Sequence, residues 1–349
     1  MERVPDSAVC NEAVKLAKKR KFQGLSGFVN GVLRTISREK EKLTWKEASE
    51  RYSIPHWMLS MWEEIYGKET AETIAASFLE ERPLTVRFNE SIAPASEAIK
   101  EMEDQDITVE ISDVFPGIAS IRGFDYLDRV NAFAEGKITV QDPSSSLAAR
   151  MASIASGDFV LDVCSAPGGK AMHAADLLKG TGMVEARDVS ERKTDLIEEN
   201  IMRCGFQNIR TNVWDATVLD PSMVEQADVV LADLPCSGLG IIGKKPDIKE
   251  RVTRDEIKDL AKLQREILSV VTQYVKPGGT LVYSTCTITG EENKENAEWI
   301  EKSLPFEKKM IADLLPEALK SSCEGNMIQL LPGVHPCDGF FISAFRKKK

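Results

Sequence analysis

The stretch Phe159-Val160-Leu161-Asp162-Val163-Cys164-Ser165-Ala166-Pro167-Gly168-Gly169-Lys170 runs an apolar segment of strand length into a turn of small residues, and the turn into a helical pattern over 170–178. A turn without bulky side chains lets backbone N–H groups and the start of the following helix approach a ligand closely. Asp188 closes the next expected strand, 183–189, where a carboxylate commonly accepts hydrogen bonds from ribose hydroxyls. A phosphate-cradling P-loop fails at two positions: Cys164 stands where it needs glycine, and Ala171 where it needs serine or threonine. The glycine spacing of nicotinamide-binding turns is absent as well. A nucleoside cofactor held without a phosphate cradle fits these letters, and so does a glycine-rich turn that serves only helix packing.

Outward from this turn, strands and helices alternate: helix 191–204, strands 209–214 and 229–233, helix 254–275, strand 280–284, helix 291–303, and closing strands 327–331 and 339–345. Such alternation predicts a doubly wound, Rossmann-like α/β sheet. A helix over 145–154 leads into it. Upstream, strands at 85–88, 107–111 and 118–121 surround a helix at 94–102, a small α+β unit. Before that, apolar spacings of three and four predict helices at 11–21, 27–40, 44–52, 55–66 and 70–80, stopped by Arg82-Pro83. Three units are therefore expected: 1–83 helical, 84–141 small α+β, and 142–349 doubly wound.

Two further expected strand ends carry thiols, Asp233-Leu234-Pro235-Cys236 and Ser284-Thr285-Cys286-Thr287. Ligands of open α/β sheets bind at the carboxyl ends of strands, so the pair suggests nucleophilic chemistry in one crevice. Either cysteine taken alone reads more readily as a small apolar core residue.

Composition narrows the classes. With 349 residues and 42% apolar content, the chain can build more than one core. It has no run of about 18 apolar residues, and its first twenty residues lack a signal-peptide apolar region, so a cytoplasmic protein without membrane contact is expected. Seven scattered cysteines without CxxC spacing and three distant histidines argue against a disulfide scaffold, a zinc ribbon or a His-built metal site. The net charge of −10 divides as +1 over 1–83, −6 over 84–141 and −5 over the remainder. No unit is globally basic, so phosphate contacts must come from local patches. Arg87, Arg122, Arg129 and the tail Arg346-Lys347-Lys348-Lys349 are the candidates.

Together the three segments resemble the RNA (cytosine-5)-methyltransferases of the Sun/Fmu type, most closely the bacterial RsmB branch that acts on 16S rRNA. The resemblance continues in Val140-Gln141-Asp142-Pro143-Ser144-Ser145, Glu291-Glu292-Asn293, Leu331-Pro332-Gly333 and Asp338-Gly339-Phe340-Phe341. In the helical region, Val4-Pro5, Asn11-Glu12-Ala13-Val14 and Gly27-Phe28-Val29-Asn30-Gly31-Val32-Leu33-Arg34 look like the later half of a NusB-like domain, here shortened.

The resemblance implies a monomeric cytoplasmic enzyme that uses S-adenosyl-L-methionine and RNA. It assigns cofactor binding to Cys164, Ser165, Ala166, Pro167, Gly168, Gly169, Lys170, Asp188, Asp215 and Asp233, with Asp215 holding the adenine amine. It makes Cys286 the thiol that attacks carbon 6 of cytosine, and gives Cys236 the removal of the carbon 5 proton and release of product. Asp233 would bond the base edge at nitrogen 3 and the exocyclic amine, while Lys170 lowers a thiol pKa or orients the base. DNA cytosine methyltransferases attack from a Pro-Cys pair, which would be Cys236. For Asp188 and Asp215 the plain alternative is helix N-capping. The motifs do not separate an rRNA from a tRNA substrate. A catalytically silent RNA-binding assembly factor is the other class, against which the presence of both thiols counts.

Overall fold

The structure, a computed structural model, describes residues 4–42 and 44–349. The chain divides after Ser53 into two compact units. In the first, helices α1 (Asp6–Lys19), α2 (Ser26–Glu39) and α3 (Ala48–Tyr52) carry charges that complement their dipoles, Asp6 at the start of α1 and Lys18 and Lys19 at its end. Asp6 also ties the two longer helices together by accepting from Ser37 Oγ at 2.8 Å and pairing with Lys40 at 2.8 Å.

The second unit opens with α4 (His56–Tyr66) and α5 (Lys68–Ser77). The expected helical unit 1–83 is thus split: its last two helices belong to the same compact unit as the two sheets. Their apolar faces explain this, because Met58, Leu59, Met61, Trp62 and Ile74 are buried. Tyr66 donates to the carbonyl of Ile288 at 3.1 Å, and a Cβ on Gly333 would stand 2.8 Å from the carbonyl of Thr73.

Next come β1 (Leu84–Phe88), α6 (Ala95–Glu103), β2 (Thr108–Ile111), β3 (Ile118–Arg122), α7 (Asn131–Ala134) and β4 (Ile138–Val140). They form an antiparallel sheet in the order β2-β3-β1-β4, a ferredoxin-like β-α-β-β-α-β arrangement. Three-residue β4 is too short to show an alternating pattern in the sequence. Arg87, expected as a phosphate contact, instead turns inward and is 2% exposed. Its guanidinium donates from Nε to Gln141 Oε1 at 2.8 Å and from one terminal nitrogen to Asp176 Oδ2 at 3.2 Å.

Helix α8 (Pro143–Met151) starts with Asp142 accepting from the Ser144 amide at 3.0 Å and with proline in its first turn, where a missing N–H costs nothing. The large sheet and its helices follow as β5 (Phe159–Asp162), α9 (Gly169–Leu178), β6 (Met183–Asp188), α10 (Glu191–Cys204), β7 (Ile209–Val213), β8 (Ala227–Asp233), α11 (Ile248–Arg251), α12 (Arg254–Val271), β9 (Val275–Thr285), α13 (Lys294–Ser303), β10 (Phe306–Lys308), β11 (Cys323–Glu324), β12 (Met327–Leu330) and β13 (Phe340–Lys347). Strand order is β11-β12-β13-β9-β8-β5-β6-β7, with β10 also paired to β13. From β5 to β9 the pairing is parallel, as doubly wound topology requires, and order reverses between β5 and β8. Beyond β9 the sheet departs from an all-parallel plan, because β13 runs antiparallel to it.

Successive residues of β5 point to opposite faces. Val160 enters a core with Leu147, Ala174 and Ile342, whereas Leu161 enters one with Val230, Leu268 and Phe345. The basic tail is partly structural: Arg346 and Lys347 belong to β13, and Lys347 Nζ donates to the carbonyl of Val275 at 2.8 Å. Among the described residues no helix is long and apolar enough to cross a membrane.

Candidate active site

The topological switch point lies between the carboxyl ends of β5 and β8, where the 164–170 turn, Asp233, Cys236 and Cys286 stand; Asp188 reaches that turn from β6, and Asp215 hydrogen-bonds to none of them. The turn after β5 is held by the Ser165 amide donating to the carbonyl of Arg187 at 2.8 Å, and by the Gly168 amide donating to the carbonyl of Ser165 at 2.7 Å. Gly168 has φ +99°, and a Cβ there would lie 3.1 Å from Ile197 on α10. Glycine is needed twice over, for backbone freedom and for the approach of the neighbouring helix. Asp188, at the end of β6, accepts from the Ala166 amide at 2.9 Å through Oδ2 and from the Val189 amide at 2.8 Å through Oδ1. Lys193 Nζ, on α10, donates to the same Oδ1 at 2.9 Å, so Asp188 fixes the turn rather than capping α10, and its Oδ2 keeps a lone pair for a further donor.

The fit to a nucleoside cofactor rests on these features together. They are a small-residue turn, the first amides of ten-residue α9, which lack intrahelical acceptors, and a buried carboxylate on the adjacent strand. Asp215 stands after β7 in an exposed turn that it closes itself, accepting from the Thr217 amide at 2.9 Å and hydroxyl at 2.7 Å. Those bonds hold its carboxyl below the ordinary range.

Both thiols reach one place. Cys236 Sγ and Cys286 Sγ are 3.3 Å apart, and each residue is partly exposed. Cys286 itself and burial push the Cys236 thiol well up, and either sulfur can be the donor in their contact. Burial likewise pushes Cys164 up, which makes it a poor nucleophile. Lys170 Nζ contacts Asp233 Oδ2 at 2.6 Å, and Ser284 Oγ donates to Asp233 Oδ1 at 2.7 Å. Burial alone would depress the Lys170 ammonium, but Asp233 and Asp162 outweigh it and hold it above the ordinary lysine range.

Beneath this pair lies Asp162, 1% exposed, whose oxygens complete no well-formed hydrogen bond. Burial pushes its carboxyl up to about 7, against the opposing pull of Lys170 and Ser165. An unfolded aspartate titrates near ~3.9, so below that value both states hold the proton and the contribution to stability is complete. As pH rises toward 7 the unfolded chain releases a proton that the folded chain retains, and stability falls. The gap is worth at most about 4 kcal/mol. Asp162→Asn should therefore raise the unfolding temperature relative to the parent at pH ~8, with the gain shrinking toward pH ~5. Thermal melts showing a gain independent of pH would refute this.

Sequence reasoning gave no role to several residues now seen at the site. Ser284 orients Asp233, and the pair Gly240 and Gly339 brings two loops into backbone contact. Gly240 N donates to the carbonyl of Cys286 at 3.1 Å, and Gly339 N donates to the carbonyl of Gly240 at 2.9 Å. A Cβ on Gly240 would stand 2.1 Å from the carbonyl oxygen of Gly339. Gly240→Ala should displace the thiol loops and lower turnover about 100-fold while cofactor affinity holds. Unchanged turnover would show that the loops can yield. The motif glycine in Asp338-Gly339 was the available signal.

Three family models match the chain, and it is similar to several named proteins. The family model described as 16S rRNA methyltransferase RsmB/F matches residues 150–346, the NusB family model residues 1–38, and the RsmF/B-like ferredoxin-like domain model residues 54–120. The Bacillus subtilis (strain 168) protein named "Probable ribosomal RNA small subunit methyltransferase B" is 37% identical, over 100% of this chain and 80% of its own length. Ribosomal RNA small subunit methyltransferase B of Vibrio cholerae is 30% identical, over 99% of this chain and 78% of its own. Among solved structures, a methyltransferase homolog from Pyrococcus horikoshii has a TM-score of 0.72 at 26% identity, covering 86% of this chain and 97% of its own. NSun6 of Pyrococcus horikoshii, solved with SFG, shares the fold at a TM-score of 0.75 and 22% identity, covering 84% and 98%.

Proposed function

Because the chain belongs to the RsmB/F family of 16S rRNA methyltransferases, we propose that it methylates carbon 5 of a cytosine in 16S rRNA through a covalent adduct between Cys286 and carbon 6. The observation that carries this reading is the 3.3 Å approach of two partly exposed sulfurs beside the Lys170–Asp233 pair. Carbon 5 of cytosine is a poor nucleophile until a nucleophile adds at carbon 6, and a thiolate suits that addition. As a member of the family the chain uses S-adenosyl-L-methionine, which when bound supplies an electrophilic methyl group.

The protein's own residues do the rest. A Cys286 thiolate accepts a hydrogen bond from the Cys236 thiol and attacks carbon 6. The carbon–sulfur bond formed places an electron pair on carbon 5, which takes the methyl group. Loss of the carbon 5 proton returns the pair to the ring and expels the Cys286 thiolate. Cys236 assists both last events: while Cys286 is bonded to carbon, the largest cause of the elevated Cys236 pKa is gone, the Cys236 thiol releases its proton to solvent, and the thiolate takes the carbon 5 proton. Asp233, oriented by Lys170 and Ser284, accepts from the exocyclic amine and from nitrogen 3, which takes a proton from solvent during attack and returns it when the thiolate leaves. The Ser165–Gly169 turn and Asp188 hold the cofactor, Asp215 its adenine amine, and the ferredoxin-like unit supports the RNA strand.

The proposed enzyme works as a monomer in the cytoplasm; among the described residues no helix is long and apolar enough to cross a membrane. Bisulfite sequencing of 16S rRNA and tRNA from cells with and without the gene tests the substrate. A cytosine that loses its protection only in tRNA would refute the ribosomal assignment, and no change in either would refute the chemistry.

A further inference from the structure

Resting on the reading that Cys286 attacks and Cys236 assists, we propose that Glu292 and Asn293 are positioning residues. Two adjacent side chains at the entrance to α13 clamp both thiol-bearing turns and set the spacing of the sulfurs.

Glu292 is fully buried and serves the Cys236 turn. Its Oε1 accepts from the Ser237 amide at 2.8 Å and Gln264 Nε2 at 3.1 Å; its Oε2 accepts from the Ser237 hydroxyl at 2.6 Å and the Thr289 hydroxyl at 2.9 Å. Gln264 Nε2 also donates to the carbonyl of Pro235 at 2.9 Å, so both neighbours of Cys236 are held. Asn293 serves the Cys286 turn. Its Oδ1 accepts from the Thr285 hydroxyl at 2.5 Å, and its Nδ2 donates to the carbonyl of Thr287 at 3.0 Å and to Gln329 Oε1 at 2.7 Å.

The two halves also meet directly, with Ser237 Oγ and Thr287 Oγ1 2.7 Å apart. The Ser237 proton points to Glu292, so Thr287 is the donor in that contact, and the polar chain runs Thr287 to Ser237 to Glu292. Tyr283 donates its hydroxyl to the Glu292 carbonyl and fixes the backbone between the two halves. Four donors converge on Glu292 although burial pushes its carboxyl up. An ionised carboxylate can accept all four; a carboxyl that keeps its proton has one more donor to place. One peptide link, between residues 292 and 293, therefore separates the anchors of the two sulfurs.

The spacing can be read without RNA. Phenylarsine oxide condenses with two thiols, forming two As–S bonds and releasing water, and binds tightly only where both sulfurs reach one arsenic atom. In the full-length chain, Glu292→Ala and Asn293→Asp should weaken dithiol capture about tenfold or more. The second variant sets an acceptor against the Thr287 carbonyl and Gln329. Both should lower kcat about 100-fold with the KM for RNA nearly unchanged, while S-adenosylmethionine affinity stays within about twofold. Glu292→Gln, which keeps one acceptor, should recover part of both losses. Cys236→Ala, lacking one sulfur, defines the background of capture.

Unchanged capture in Glu292→Ala and Asn293→Asp would overturn the clamp, whatever happens to methylation. Capture, cofactor affinity and the thermal transition collapsing together in every variant, Glu292→Gln included, would also overturn it, by reducing the residues to support of the fold. If the parent captures the arsenical but methylates no cytosine, the catalytic reading fails and the arsenical result still decides the clamp.

Discussion

Replacing Cys286 by alanine is expected to reduce methyl transfer by about 10⁴-fold or more, the loss typical of removing a covalent nucleophile. It should also end covalent capture of RNA containing 5-fluorocytosine, in which fluorine at carbon 5 blocks the proton loss that frees the enzyme. Cys236→Ala should behave oppositely and accumulate adduct on ordinary RNA. The difference arises from the roles proposed for the two adjacent thiols: Cys286 forms the bond to carbon 6, and Cys236, whose pKa its neighbour and burial raise, serves the release that follows. Gel mobility of the protein–RNA adduct in the two variants measures this directly. Adduct formed by Cys286→Ala and none by Cys236→Ala would reverse the roles.

Asp233→Ala should have the second largest effect, because it strands the Lys170 ammonium, whose side chain is 14% exposed, and frees Ser284. Removing one partner of a buried pair typically costs about 3–5 kcal/mol. Loss of a donor or acceptor aimed at the reacting base adds about 10²–10³ in turnover. Asp233→Asn separates these contributions. Its amide oxygen can still accept from Lys170 while its NH₂ faces the Ser284 hydroxyl, which can turn to accept. Near-parental melting with turnover still depressed about 100-fold is the expected result. Full activity in Asp233→Asn would leave the residue a structural role only.

The turn at 164–170 was legible because its chemistry is local: small residues, a strand before and a helix after are all visible within a dozen letters. The same holds for α10, whose bounds Glu191–Cys204 agree with expectation. What stayed hidden depends on distance along the chain. Lys170 and Asp233, or Glu292 and Ser237, meet only once the sheet is assembled. The small sheet shows the same limit: arginine in a half-exposed strand usually faces water, and nothing near Arg87 announces that Asp176 waits beneath it. Nor does helical periodicity say which neighbour an apolar face will choose, so the gap between the expected helices 44–52 and 55–66 did not stand out as the boundary after Ser53. The antiparallel course of β13 was equally silent, since strand letters carry no direction.

The Arg87–Asp176 contact has a mechanical meaning. β1 is an interior strand of the ferredoxin-like sheet, and α9 begins at the turn assigned to the methyl donor. Asp176 additionally accepts from the amides of Ser91 at 2.7 Å and Glu90 at 3.2 Å, so the segment leaving β1 is moored as well. Swinging that sheet aside would expose charge in a dry interior, at a cost of several kcal/mol. Under the mechanism proposed above, the travel needed to bring a pyrimidine to sulfur falls to the nucleic acid, which rotates its own base outward onto a stationary anvil.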